Sequence, residues 1–90
     1  MASYNVLLTT SASRQLRNLD PEIRRRVAGR IDDLKKDPFS HGAIQLHGGY
    51  SPPLYRVRVG DYRIVYTVDN PSLSVTIHGL GPRDKIYDQF

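Results

Sequence analysis

The side chains best suited to chemistry in this sequence are arginines on strand spacing. Arg56 and Arg58 alternate with Tyr55, Val57 and Val59, and Arg63 follows across a Gly60-Asp61 break. A strand sends alternate residues to opposite faces, so Arg56 and Arg58 share the face that the apolar residues leave. With Gly60-Asp61 as a two-residue hairpin turn, Val59 pairs with Tyr62, Arg58 with Arg63, Val57 with Ile64 and Tyr55 with Tyr66. Like charges directly opposite on a sheet cost up to about 1 kcal/mol, so something else should favour Arg58 facing Arg63. Guanidinium forks match phosphate oxygens bidentately, which makes this a candidate phosphate surface; a solvated strand face is the plain alternative. A four-residue loop after Val68 would pair it with Leu73 and place His78 beside Arg63. Arg83 and Tyr87, four residues apart, would share one side of a single helical turn. In the competing reading of that tail, Ile86, Tyr87 and Phe90 cap the edge of the core.

Elements that hold these residues can be read from the rest of the chain. Its 90 residues suit one domain, 1–90, with a modest core. A hydrophobic fraction of 39% excludes a disordered tail, and zero cysteines exclude a disulfide scaffold, a thiolate metal site and a cysteine nucleophile. The start at Met1-Ala2 has no basic leader region and Val6-Leu7-Leu8 is too short to span a membrane, so a cytoplasmic protein without a membrane partner is expected. A net charge of +4 favours a polyanion, most often nucleic acid, without choosing RNA over DNA.

Tyr4 to Thr9 reads as a strand, with Thr10-Ser11 offering capping hydroxyls to a helix that carries Ala12, Leu16 and Leu19 on one stripe. Asp20-Pro21-Glu22 starts a second helix, which buries Ile23, Val27, Ile31 and Leu34 and ends on Lys35-Lys36 before Asp37-Pro38. The segment from Asp37 to Pro53, with His41, His47 and its glycines, reads as a long surface loop. Leu54–Val59, Tyr62–Val68 and Leu73–Leu80 are the remaining strands. The order β-α-α-β-β-β predicts an α+β fold: a small, mostly antiparallel sheet with an N-terminal two-helix hairpin on one face. Arg14, Arg17, Arg24 and Arg25 make that hairpin basic, as a partner surface or as a solubilising one with local pairs such as Glu22–Arg26 and Arg30–Asp33.

The stretch Leu54-Tyr55-Arg56-Val57-Arg58-Val59-Gly60-Asp61-Tyr62-Arg63-Ile64-Val65-Tyr66, together with Gly81-x-Arg83 and Tyr87, resembles the RelE/ParE superfamily of toxins from bacterial toxin–antitoxin pairs. The preceding helical hairpin, Asp37-Pro38 and Leu46-x-Gly48 are similar too. The resemblance implies a RelE-like fold and a toxin that cuts messenger RNA in the ribosomal A site; ParE-type members share the scaffold and act on DNA gyrase. It implies that Arg56 and Arg58 contact RNA phosphate, that Arg63 stabilises the phosphate in the transition state, that Arg83 lies near the leaving 5′ oxygen, and that Tyr87 activates the 2′-hydroxyl. Its implied partners are the ribosome with its message and a cognate, RelB-like antitoxin in a hetero-oligomer. Tails of the ParE type generally lack the Arg and Tyr combination, which favours the nuclease.

RNA carries its own nucleophile, so this chemistry needs no cofactor and no metal, and the sequence has no compact carboxylate or histidine cluster; Asp32-Asp33 reads as a solvated helix end. Arginines would stabilise the extra charge on phosphorus. A phenol with a pKa near 10 in water serves as base only where guanidinium groups favour its phenolate. An arginine above about 12 is better suited to stabilising charge on the leaving oxygen than to giving up a proton. His78 remains a second candidate for proton transfer or substrate contact, while His47 reads as solvated. Tyr50 is a candidate base-stacking ring.

Overall fold

A computed structural model describes residues 3–40 and 42–90. The reading of the start at Met1-Ala2 and of His41 lies outside the described residues. In chain order the elements are β1 (Asn5–Leu8), α1 (Thr10–Arg17), α2 (Pro21–Lys36), β2 (Ile44–Gln45), β3 (Tyr55–Val59), β4 (Tyr62–Asp69), β5 (Ser74–Pro82) and a terminal 3₁₀ turn, η1 (Ile86–Gln89).

Local chemistry accounts for the helix limits. The Thr9 hydroxyl, one residue before the expected pair, accepts the Ala12 N–H at 3.1 Å and so caps α1. Pro21 opens α2, Glu22 lies in its first turn, and Lys35 and Lys36 lie at the negative end. The sheet order is β1-β5-β4-β3-β2, with β1 parallel to β5 and the other neighbours antiparallel. Both helices cover one face, α1 chiefly over β5 and α2 over β1 and β3, and their main contacts are with the sheet rather than with each other. Ala12, Val27, Ile31 and Leu34 pack there against Val57, Ile64, Tyr66, Val75, Ile77 and Leu80. Inside this layer the Tyr66 hydroxyl donates to the Pro38 carbonyl at 2.6 Å, tying β4 to the segment after α2. Tyr55 is half-buried, with its ring edge-on to Phe39 at 5.2 Å.

Four departures from the sequence reading matter for the site. The 37–53 loop contains a short strand, because Ile44 and Gln45 pair with Arg56 and Tyr55 and add a fifth strand to the sheet. The last strand runs from Ser74 to Pro82 rather than from Leu73 to Leu80. Leu73 instead closes the β4–β5 turn at φ +52, donating its N–H to the Asn70 carbonyl at 3.2 Å. The tail turn is 3₁₀ and begins at Ile86, so Arg83 lies outside it and the four-residue helical spacing to Tyr87 does not apply. The face away from the helices is also not uniformly polar: Leu54, Val65 and Ile86, with Leu46 and Phe90, form a second, smaller core there. Among the described residues no helix is long and apolar enough to cross a membrane.

Candidate active site

The β3–β4 hairpin has the register read from the sequence at all four of the pairs named there, including Arg58 opposite Arg63, and Arg56 lies opposite Val65 in the same register. Gly60 makes the tight turn possible: its φ of +58 is a conformation that L side chains rarely adopt. Arg63, only 6% exposed, folds back onto this turn, and its Nη1 donates to the carbonyls of Gly60 at 3.2 Å and Tyr62 at 3.1 Å. Those acceptors compensate its burial and leave the other guanidinium N–H groups available. Arg58 is exposed and Arg56 half-buried on the same face.

On the other side of β4, Arg63 pairs with Gly81, so Arg58, Arg63 and Gly81 form one row across three strands. Just past β5 the Arg83 N–H donates to the Asp61 carbonyl at 2.8 Å. One hairpin turn therefore fixes the Arg63 guanidinium through Gly60 and the Arg83 backbone through Asp61. The Arg83 side chain is exposed, as is Tyr87 at 38%.

Tyr87 is placed by what η1 packs against. A Cβ on Gly79 would stand 3.1 Å from Gln89 Oε1 and 3.2 Å from both Ile86 Cδ1 and Phe90 Cζ. Glycine at this strand position therefore lets η1 lie directly on the sheet, with Ile86 buried beneath it. The core-capping reading of the tail is met in part: Ile86 and Phe90 pack into the second core, and Tyr87 between them stays outside it.

His78 is not beside Arg63. The strand pairing is shifted at its start by the Leu73 turn, giving Val68↔Val75, and again by a bulge at Val65/Tyr66. His78 Nε2 instead lies 2.9 Å from Thr67 Oγ1, and Val65, covered by Ile86, separates that pair from Arg63 along the face. Desolvation by burial lowers its pKa from the usual 6.5. That disfavours the protonated form of His78.

Around the sheet edge the cationic face continues into a cleft of about 690 Å³ lined by Arg56, Arg58, Ile44 and Gly42 with Arg30 and Asp33 of α2. The expected Arg30–Asp33 pair is present at 3.7 Å, and Arg30 also donates to the Ser40 hydroxyl at 3.3 Å. Glu22 and Arg26 do not form the other expected pair; the Arg26 guanidinium lies over Gly60, with Nη2 3.1 Å from where a Cβ would stand. The sequence reading missed the parts of Gly79 and of the Asp61 carbonyl. A glycine within an apolar strand pattern signals close approach of another segment, and that signal could have found Gly79; a backbone carbonyl leaves none.

Comparison with known proteins joins this geometry to a family. Residues 6–87 match the family model described as ParE toxin of type II toxin-antitoxin system, parDE. The chain is 33% identical over 88 residues to Toxin RelG of Mycobacterium tuberculosis (strain ATCC 25618 / H37Rv), covering 93% of this chain and 95% of that protein. Among solved structures, the archaeal RelE-RelB complex from Pyrococcus horikoshii OT3 is similar with a TM-score of 0.78 at 30% identity, covering 92% of this chain and 98% of that one. The toxin-antitoxin complex RelBE2 from Mycobacterium tuberculosis is similar with a TM-score of 0.78 at 28% identity, over 91% of this chain and 100% of the other.

Proposed function

The chain belongs to the RelE/ParE superfamily, the toxins of type II toxin–antitoxin systems, and from that premise we propose that it is a ribosome-dependent endoribonuclease cutting messenger RNA in the A site. The observation that carries this reading is the row Arg58–Arg63–Gly81, with Arg83 tied at its end to the turn that also holds Arg63. It concentrates guanidinium groups on one open sheet face, where phosphate can approach.

In the proposed reaction the substrate's 2′-oxygen forms a bond to phosphorus as the bond from phosphorus to the 5′ oxygen breaks. The products are a 2′,3′-cyclic phosphate and a 5′-hydroxyl. Tyr87, acting as its phenolate, takes the 2′-hydroxyl proton and becomes the neutral phenol, Arg63 stabilises the added charge on the phosphoryl oxygens, and Arg83 stabilises the departing 5′ oxygen, which gains its proton from solvent. Arg56 and Arg58 hold the flanking phosphates. Arg63 suits its role because its hydrogen bonds to Gly60 and Tyr62 fix it before substrate arrives. The proposed regulatory partner is a RelB-like antitoxin in a hetero-oligomeric complex; the Pyrococcus and Mycobacterium neighbours are themselves toxins in such complexes.

Primer extension on a reporter message in a reconstituted translation system tests the reading. New 5′ ends within A-site codons should appear with the protein and vanish with Arg83→Ala, whereas Tyr87→Phe should cut at least about 100-fold more slowly and still bind ribosomes. Arg83 and Tyr87 are both exposed, so neither change should lower the melting temperature appreciably. Intact message alongside arrested growth would reject cleavage in favour of a gyrase-directed toxin, the alternative that the resemblance to ParE-type members implies.

A further inference from the structure

The same open face of the sheet carries another cavity, which the phosphate chemistry does not use. It measures about 410 Å³ and lies between the loop at 50–52 and the chain end, with Tyr50, Pro52, Leu54, Thr67, His78 and Phe90 around it. No arginine lines it, and its walls are largely aromatic and aliphatic.

Two rings bound it. Tyr50 is 37% exposed and packs on the backbone of Gly48, with Cε2 3.0 Å from where a Cβ would stand. Gly48 has a φ of +126, so both its conformation and the ring beside it call for glycine, and the ring remains open to solvent. Phe90 is fixed from the other side by packing against the second core. Its polar lining is Ser51, Thr67, His78 and Gln89 beside the Tyr50 hydroxyl, and His78 and Thr67 bond each other at 2.9 Å. Using Nε2 for Thr67 leaves Nδ1 of His78 for another partner. Burial favours the neutral ring, which suits the edge of a neutral heterocycle better than a phosphate.

We propose that this cavity is a nucleobase pocket, holding one unstacked base of single-stranded RNA against Tyr50 and Phe90 while His78, Thr67 and Gln89 meet its polar edge. Unstacked bases are commonly held in this way, between aromatic rings and a few hydrogen-bonding groups. Thr67 lies four residues along β4 from Arg63 on the same face, about 13 Å at the usual strand rise, so the base would belong to a nucleotide near the scissile phosphate but not adjoining it. The inference rests on the RNA-cleaving reading and adds to it a determinant of sequence preference.

Two measurements with the full chain test the pocket. On ribosomes programmed with a message library randomised around the A-site codon, the wild type should show a base preference at one fixed offset from the cut. Tyr50→Ala and His78→Asn should weaken that preference roughly 5- to 100-fold while cutting persists, and Tyr50→Phe should retain it. A preference profile unchanged in both Tyr50→Ala and His78→Asn would overturn the pocket and leave the nuclease standing. Independently of cutting, NMR titration with a 2′-O-methylated tetraribonucleotide should shift the resonances of His78, Gln89 and Phe90, and Tyr50→Ala should abolish the shifts. No shift at millimolar probe would overturn the pocket whether or not the protein cuts RNA; shifts without any cutting of message would support it and reject the nuclease.

Discussion

Arg63 sits almost wholly out of water, directly opposite another arginine, and the arrangement is tolerable because its charge is turned toward two backbone carbonyls of its own hairpin. A buried guanidinium without acceptors would be costly; with them it becomes a fixed cation. Tyr66 is the matching case of a buried neutral group. Burial pushes its phenol up from 10 to about 12, against a smaller opposing effect of Arg30, and its hydroxyl donates to Pro38. Because the folded value lies above the unfolded one, this contribution to stability is complete below pH 10 and is lost as pH rises from there toward 12. Tyr66→Phe should remove that alkaline slope and destabilise the protein by about 1–2 kcal/mol, since the buried Pro38 carbonyl loses its donor. Urea unfolding at pH 8 and pH 11 measures both effects.

Among the elements, the β3–β4 hairpin and η1 set the site's geometry. The hairpin owes its register to a short turn that the chain itself specifies, with glycine at the residue that needs a positive φ. The position of η1 depends instead on a missing side chain at Gly79, over which Ile86, Gln89 and Phe90 lie at contact distance. Gly79→Ala should therefore lift η1 and move Tyr87 without touching the helix-side core. The expected result is a loss of cleavage on the order of 100-fold with an unchanged far-UV circular dichroism spectrum. Full activity in Gly79→Ala would show that the placement of η1 is irrelevant to the chemistry.

For the whole molecule, the relevant quantity is where a net +4 is placed on a body with a 12.2 Å radius of gyration. Arg14, Arg17 and Arg25 are exposed on the helices, while Arg58 is exposed on the opposite side of the sheet, so basic charge is presented on both sides of the two-layer fold. Binding to ribosomes should weaken steeply with salt, because each neutralised phosphate releases counterions. Arg58→Gln should reduce the slope of log affinity against log salt by about 0.7–1. Anisotropy titrations with labelled protein at several salt concentrations measure it, and an unchanged slope would place Arg58 outside the RNA contact.

What the sequence determined by itself was local. Alternation and a two-residue glycine turn set the hairpin register, and Pro21 with the charged helix ends set α2, because the residues that decide these features are neighbours in the chain. The family resemblance was legible for the same reason, in one continuous stretch and a short tail motif. The tertiary structure alone decided the rest. The Leu73 turn and the bulge in β5 opposite Val65 and Tyr66 shifted the pairing and carried His78 away from Arg63, toward Thr67 and the cavity beneath Tyr50. The two-residue strand β2 exists only because β3 offers it an edge, and η1 lies where it does only because Gly79 leaves room. Such features depend on contacts between residues far apart in the chain, where a shift of one residue reverses the face a side chain occupies and no periodicity in the sequence records it.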